Sequence, residues 1–194
     1  MFLENTINHS KQSGWMEVIC GSMFSGKTEE LIRRLRRAEM AGQHVEIFKP
    51  KMDTRYAEED IVSHNRNKIK STPVENPNEI LILGETCDVV GIDEAQFFDE
   101  SIIKVANQLA NKGIRVVIAG LDMDFMGRPF GAMPYLMATA EYVTKVHAIC
   151  KKTGNLANYS MRITGNNDLI QLGETDSYEA VSRKIFINEV LNKK

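Results

Sequence analysis

Apolar residues along this chain fall into short unbroken runs, separated by stretches where they recur at helical spacing. The first run, WMEVIC over 15–20, ends at a glycine and predicts a buried strand. From Lys27 the spacing changes: Leu31, Ile32, Leu35 and Ala38 share one face of a helix that Gly42 stops. HVEIFKP over 44–50 is β-branched and aromatic and closes on proline, which predicts a second strand. Residues 51–76 are polar and predict a long irregular connection. NEILILGE over 78–85 predicts a short helix, and CDVVGIDE over 87–94 a third strand ending in acids. DESIIKVANQLANKG over 99–113 predicts an amphipathic helix, with Ile102, Ile103, Ala106, Leu109 and Ala110 inward and Gly113 closing it. RVVIAGLD over 115–122 predicts a fourth strand, PYLMATAEY over 134–142 a helix with Pro134 in its first turn, and VTKVHAIC over 143–150 a fifth strand.

Strands alternating with helices up to Cys150 predict an α/β fold, a parallel sheet flanked by helices over 15–150, behind a loose polar lead over 1–14. Beyond Cys150 the pattern changes. Gly154, Gly165 and Gly173 are interspersed with Asn and Ser, and the short runs NYSMRI and DLIQLG predict small strands or an extended loop. A small second lobe over 151–194 is expected.

Composition narrows the function. The chain has 194 residues, 43% of them hydrophobic, which suits one domain with a real core and a small appendage. Lys and Arg total 24 against 26 Asp and Glu, a net charge of −2, whereas a domain that lives on phosphate backbones carries a basic excess. Nucleic acid is therefore not the expected partner. The odd set Cys20, Cys87 and Cys150 argues for buried thiols in a reducing compartment rather than a disulfide framework. With no apolar run long enough to cross a bilayer and no signal-like start, a soluble cytoplasmic protein away from membranes is expected.

The chemistry starts at Gly21-Ser22-Met23-Phe24-Ser25-Gly26-Lys27-Thr28, a full match to G-x-x-x-x-G-K-[ST] between a predicted strand and a predicted helix. Gly21 and Gly26 permit the backbone angles that turn successive N–H groups toward one anion, and the helix N-terminus adds partial positive charge. Lys27 suits the β- and γ-phosphates and Thr28 a magnesium ion. Downstream, VVGIDEAQFF delivers Asp93 and Glu94 at the carboxyl end of a strand, where ligands of open α/β sheets collect. Asp93 suits the magnesium-holding acid of a P-loop protein.

Glu94 leaves two chemistries open. It can polarise a water, which makes a nucleotide hydrolase, or take the proton of a substrate hydroxyl, which makes a kinase. DEAQ also matches helicase boxes, but such motors clamp a strand between two sheet domains, more than 194 residues build. There is no guanine-reading N-K-x-D in the sequence. Arg33, Arg34, Arg36 and Arg37 follow the cradle, with Glu29–Arg33 and Glu30–Arg34 at favourable i,i+4 spacing, and read as a solvated helix face or a subunit contact.

Taken together, SGWMEVICGSMFSGKTEEL, FKPKMDTRY, GIDEAQFF, AGLDMDFMGRPFG and TKVHAIC resemble the type II, cytosolic-type thymidine kinases, in order and spacing from about Ser13 to Phe186. The resemblance implies transfer of the γ-phosphoryl group of ATP to the 5′-hydroxyl of thymidine, with Mg²⁺, in pyrimidine salvage for DNA synthesis, by a homotetramer. It implies Glu94 as general base, magnesium contacts at Thr28, Asp93 and Asp53, and a phosphate role for Arg55. ATP contacts extend from the Gly21–Thr28 turn to Asp93, Glu94, Ala95 and Gln96. The implied thymidine pocket draws on Met23, Phe97, Leu121, Phe125, Phe130, Ser160 and Tyr178, with the backbone of Ile170, Gln171, Leu172 and Gly173 as a lasso over the base. By themselves Phe97, Phe125 and Phe130 read as ordinary core; their places beside DE and GLD at strand ends suit pocket walls. A kinase of another deoxynucleoside, or a P-loop NTPase coupled to a partner, is the alternative.

One part departs from the pattern. Many members of that family carry two C-x-x-C or C-x-x-H pairs that close a tetrahedral structural zinc. Here the corresponding positions are Cys150, Thr153, Ser182 and Ile185, so one thiol remains and no zinc is expected. Side-chain packing involving Val181, Ile185 and Phe186 is expected to hold the base of the lasso instead.

Overall fold

The computed structural model describes residues 14–51, 60–62, 68–163 and 177–191. The chain order is β1 Trp15–Gly21, α1 Lys27–Met40, β2 Val45–Pro50, β3 Asp60–Val62, β4 Lys68–Lys70, β5 Thr72–Val74, α2 Pro77–Gly84 and β6 Val89–Ile92. It continues with α3 Ser101–Asn111, β7 Arg115–Leu121, α4 Met133–Thr139, β8 Tyr142–Lys145, β9 Ala148–Ile149, β10 Leu156–Ala157, β11 Tyr159–Arg162, β12 Tyr178–Val181 and α5 Arg183–Phe186, which a π-type turn over Ile187–Leu191 extends.

Among the described residues six strands form one sheet in the order β5-β2-β6-β7-β1-β8, every pairing parallel. The alternating side chains of β1 explain the layers. Met16, Val18 and Cys20 point into one buried cluster with Ile80 of α2, Ile102 and Leu109 of α3, and Met133 and Leu136 of α4. Ile19 points the other way, into a cluster with Leu31, Ile32, Leu35 and Ala38 of α1. The face expected for α1 is therefore the buried one, and each fully buried Leu or Ile contributes about 1.5–3 kcal/mol. A third cluster joins Ala148, Cys150, Tyr159, Val181 and Phe186, with Ile185 packed against it and the Tyr159 and Phe186 rings stacked at 4.3 Å.

Four expectations about elements need correction. The helix expected over 134–142 ends at Thr139, and Tyr142 already opens β8. The run at 143–150 is not one strand: β8 joins the main sheet beside β1, while β9 pairs antiparallel with β10. Val146 N–H still donates to the Cys20 carbonyl at 2.8 Å, so pairing with β1 persists to Val146, and the change of sheet comes between there and Ala148. The third strand stops at Ile92, which leaves Asp93 and Glu94 beyond it. The polar connection over 51–76 contains β5, a short parallel edge strand on β2, and β3 and β4, which pair antiparallel.

Candidate active site

The central strand β7 lies between β1, which runs into the glycine-rich turn, and β6, which runs into the acids. Register pairs Gly21 with Leu121 and Ile92 with Ile118, so these carboxyl ends converge at one rim of the sheet. Gly21 has φ 148°, and a Cβ there would meet the Val146 carbonyl oxygen at 2.2 Å, so only glycine fits. Gly26 turns into α1 at φ 84°. Between them the Ser25 hydroxyl and the Lys27 ammonium both donate to the Ser22 carbonyl, at 2.7 and 2.8 Å. The Lys27 ammonium thus lies against the glycine-rich turn itself. Burial lowers its pKa, while Glu94, Asp93 and Asp122 pull the other way.

The Thr28 hydroxyl donates to Asp93 Oδ2 at 3.2 Å, and Glu94 N–H donates to Asp93 Oδ1 at 2.9 Å. Burial, reinforced by the neighbouring Glu94 charge, raises the Asp93 pKa to about 7 against the opposing pull of Lys27 and these two donors. Glu94 sits in the left-handed region at φ 52°, ψ 39°, strained for a residue with a Cβ. Its carboxylate accepts from Gln96 Nε2, and the Gln96 carbonyl oxygen accepts Leu121 N–H at 2.9 Å. Gln96 is buried and ties the orientation of Glu94 to the end of β7. That orienting role escaped the sequence reading, which placed Gln96 only among nucleotide contacts.

Asp122, the residue after β7, was also passed over. It is buried, and among the described residues neither carboxylate oxygen has a well-directed hydrogen bond; the Lys145 ammonium lies 2.7 Å from Oδ2. The sequence signal was present in GLD, an acid at a strand end of the same rim.

Other expected site residues surround this rim. Met23 N–H donates to Ser160 Oγ at 3.0 Å, and the Ser22 hydroxyl donates to the Ala157 carbonyl at 2.9 Å, so β10 and β11 are fastened to the phosphate turn. Phe97 meets Phe130 edge-on, centroids 5.6 Å apart. Phe125 and Tyr178 are both contacted by Arg162, a residue the sequence reading did not single out. Asp53, Arg55, Ile170, Gln171, Leu172 and Gly173 lie outside the described residues.

At the departed zinc positions, the Thr153 hydroxyl donates to Ser182 Oγ at 3.3 Å beside the buried Cys150. Burial pushes the Cys150 thiol up, but donors from Thr153, Ser182 and Lys152 outweigh it and bring the pKa to about 7. Burial is the largest influence on Cys20 and Cys87 and pushes both up to about 11. His147 is exposed and occupied with Asn158 Oδ1 at 2.6 Å.

Arg34 corrects the reading of the arginines as a solvated face. It is buried, and donates to Glu17, Glu30 and Thr144 at 2.8, 2.8 and 2.9 Å. Arg33 is exposed and pairs with Glu30 at 2.7 Å.

Comparison with known proteins bears on this geometry. The family model described as Thymidine kinase matches residues 14–186. A thymidine kinase of Bacteroides thetaiotaomicron is 58% identical over 187 residues, 96% of this chain and 94% of the relative. One from a Rhodothermus species is 58% identical over 180 residues, covering 93% and 84%. One from Porphyromonas gingivalis is 58% identical over 184 residues, covering 95% and 90%.

Proposed function

The chain belongs to the thymidine kinase family, and on that premise we propose that Glu94 takes the proton of the thymidine 5′-hydroxyl as that oxygen attacks the γ-phosphorus of ATP. The protein is an ATP-dependent nucleoside kinase that phosphorylates thymidine. The hydrolase alternative left open by the motifs is not favoured. The observation that carries the assignment of Glu94 is its place: one residue beyond Asp93, strained, and held by Gln96 at the rim that the phosphate turn faces.

Phosphoryl transfer asks the protein for alignment and charge neutralisation more than for covalent help. The backbone amides of Gly21–Thr28 would hold the phosphates, and Lys27 would leave the Ser22 carbonyl for their oxygens. Thr28 and Asp93, hydrogen-bonded to each other, are hard oxygen donors that fit a magnesium ion, and a buried carboxylate with a raised pKa is one that a cation would keep ionised. Magnesium bound there would neutralise charge on the phosphate oxygens. Met23, Phe97, Leu121, Phe125, Phe130, Ser160 and Tyr178 would form the thymidine pocket, with the backbone of 170–173 over the base and Asp53 and Arg55 toward metal and phosphate. A methyl in a fitted pocket is worth about 1–3 kcal/mol, so packing alone disfavours deoxyuridine only moderately.

Several finer features belong to the same proposal. The chain works as a homotetramer in the cytoplasm, where ATP and three free buried thiols are at home. Among the described residues no helix is long and apolar enough to cross a membrane. Residues 151–194 act as the substrate lobe of a 15–150 nucleotide domain, supported by the ties from Met23 and Ser22 to β10 and β11. No zinc is bound, because one thiol, two hydroxyls and an alkyl chain are not a tetrahedral thiolate site.

The test is a nucleoside panel at fixed ATP and Mg²⁺. Thymidine is expected to yield thymidine monophosphate in preference to the other nucleosides. Phosphate release that ignores every nucleoside would overturn the proposal.

A further inference from the structure

We propose that Lys145 is a positioning residue of the phosphate site: its ammonium cancels the charge of the buried Asp122 carboxylate, which would otherwise repel the phosphate tail of ATP from the glycine-rich turn beside it. The proposal rests on the reading of Gly21–Thr28 as the phosphate turn and deepens it.

Sheet order sets the placement. β1, which leads into the turn, lies between β7 and β8. Gly21 is in register with Leu121, so Ser22 and Asp122 are the next residues along the two strands, and the Ser22 carbonyl is the one that holds Lys27. On the other side of β1, Cys20 is in register with Lys145. The carbonyl of the following residue, Val146, packs so closely on Gly21 that no Cβ would fit between them. The Lys145 ammonium reaches Asp122 Oδ2 at 2.7 Å, so the pair spans the end of β1 where the turn starts.

The two partners have different surroundings. The Asp122 side chain is 5% exposed and that of Lys145 is 41% exposed. Among the described residues no well-directed hydrogen bond meets either Asp122 oxygen. A carboxylate taken out of water without donors depends on a nearby cation, and the cation in contact here is Lys145. The charges of both reach the start of the turn. Burial is the main cause that raises the Cys20 pKa; Asp122 raises it further, while Lys145 and Lys27 oppose. Burial likewise lowers the Lys27 pKa, and Glu94, Asp93 and Asp122 are among the acids that oppose it. Asp93 has a magnesium ion to meet and Glu94 a proton to take, but Asp122 has neither task. Left uncancelled, its charge would act against the phosphates. Like charges about 10 Å apart, at an effective dielectric constant near 20, repel by an amount worth about tenfold in binding.

The experiment is calorimetric titration of the full chain with Mg²⁺ and the β,γ-imido analogue of ATP, without nucleoside. It compares the wild type with Lys145→Met, Lys145→Arg, Asp122→Asn and the Lys145→Met/Asp122→Asn double variant. Lys145→Met should bind the analogue about tenfold more weakly, while Lys145→Arg, which keeps the charge, should stay within about threefold of wild type. Asp122→Asn should bind at least as tightly as wild type. The double variant should return to within about threefold of it, since no charge is left to cancel. A tie that only held the strands together would instead weaken binding in Asp122→Asn as it does in Lys145→Met, with no recovery in the double variant. That pattern would overturn the proposal, as would a folded Lys145→Met protein within about twofold of wild type. If Lys145→Met does not fold, Asp122→Asn decides: binding weakened by more than about threefold overturns the proposal, and any tighter binding upholds it. A wild type that does not bind the analogue would sink the phosphate-turn reading and the proposal with it, whereas the ratios between variants judge the proposal alone.

Discussion

Arg34 donates from Nη1 to Glu17 Oε2 at 2.8 Å, with both residues buried between α1 and the sheet. Glu17 also accepts from Arg115 and Trp15, each at 2.7 Å, so a single buried carboxylate gathers donors from α1, β1 and β7. Since α1 starts at the phosphate turn, this ion cluster fixes the helix whose N-terminus would face the nucleotide. Removing one partner of a buried pair strands the other's charge. Arg34→Met should therefore destabilise the fold by about 3 kcal/mol, the low end for such pairs because Arg115 and Trp15 remain. Glu17→Gln in the same background should recover part of the loss. Urea unfolding measures both; an Arg34→Met protein as stable as wild type would show that the cluster contributes nothing.

Asp93 predicts a conflict between stability and function. Its carboxyl pKa is raised from 3.8 to about 7, so the folded state holds a proton that the unfolded state has already released between those values. Its contribution is therefore fully present below pH 4 and is lost as pH rises through 7. Taken whole, that gap is worth at most about 4 kcal/mol. Nucleotide-free Asp93→Asn should melt higher than wild type at pH 8 and lose that advantage by pH 4. It should also lose the stabilisation that Mg²⁺ and ATP together give the wild type. Melting curves across pH, with and without nucleotide, check both statements.

These two residues show what periodicity reveals and what it hides. Leu31, Ile32, Leu35 and Ala38 were legible as a buried face because helical spacing alone places them there. The phosphate turn and the acids at the end of β6 were legible because their chemistry is local in sequence. Arg34 was not: four arginines within five residues read as a solvated face, and the partner that buries one of them is 17 residues away on a strand of matching parity. β5 was hidden for a different reason. It has three residues, one a proline, and edge pairing on one side only asks little of its side chains. The run at 143–150 misled because apolar character continues through a change of sheet, which backbone hydrogen bonding decides. Arg162 needed the pairing of β11 with β12 before its neighbours could be known.

Cys150 should behave unlike the other two thiols. Hydrogen-bond donors bring it to about 7, while burial pushes Cys20 and Cys87 up to about 11. Its folded value lies below the ordinary 9.0, so its contribution to stability grows as pH rises from about 7 toward 9 and is lost as pH falls through 7. Thiolate absorbance should show one group titrating near neutrality, and Thr153→Val should move that titration upward. Elemental analysis of the purified protein should find no stoichiometric zinc. A full equivalent of zinc per chain would mean that other residues complete a site around this thiol.

The last prediction separates the base from the residue that aims it. Glu94→Gln keeps the shape and the strained backbone but cannot take a proton. It should lower kcat by about 10²–10⁴-fold, the usual worth of a positioned base, while ATP still binds. Gln96 touches no reacting atom in this scheme; it holds the Glu94 carboxylate with its amide nitrogen and Leu121 N–H with its carbonyl oxygen. Gln96→Leu leaves the base in place but free to turn, and strands a buried amide at the end of β7. It should therefore lower kcat by about tenfold, less than loss of the base, with the KM for ATP unchanged. Adding Gln96→Leu to Glu94→Gln should cost little more, because an orienting bond has no value once the proton acceptor is gone. Independent, multiplying losses would instead give Gln96 a role of its own, apart from Glu94.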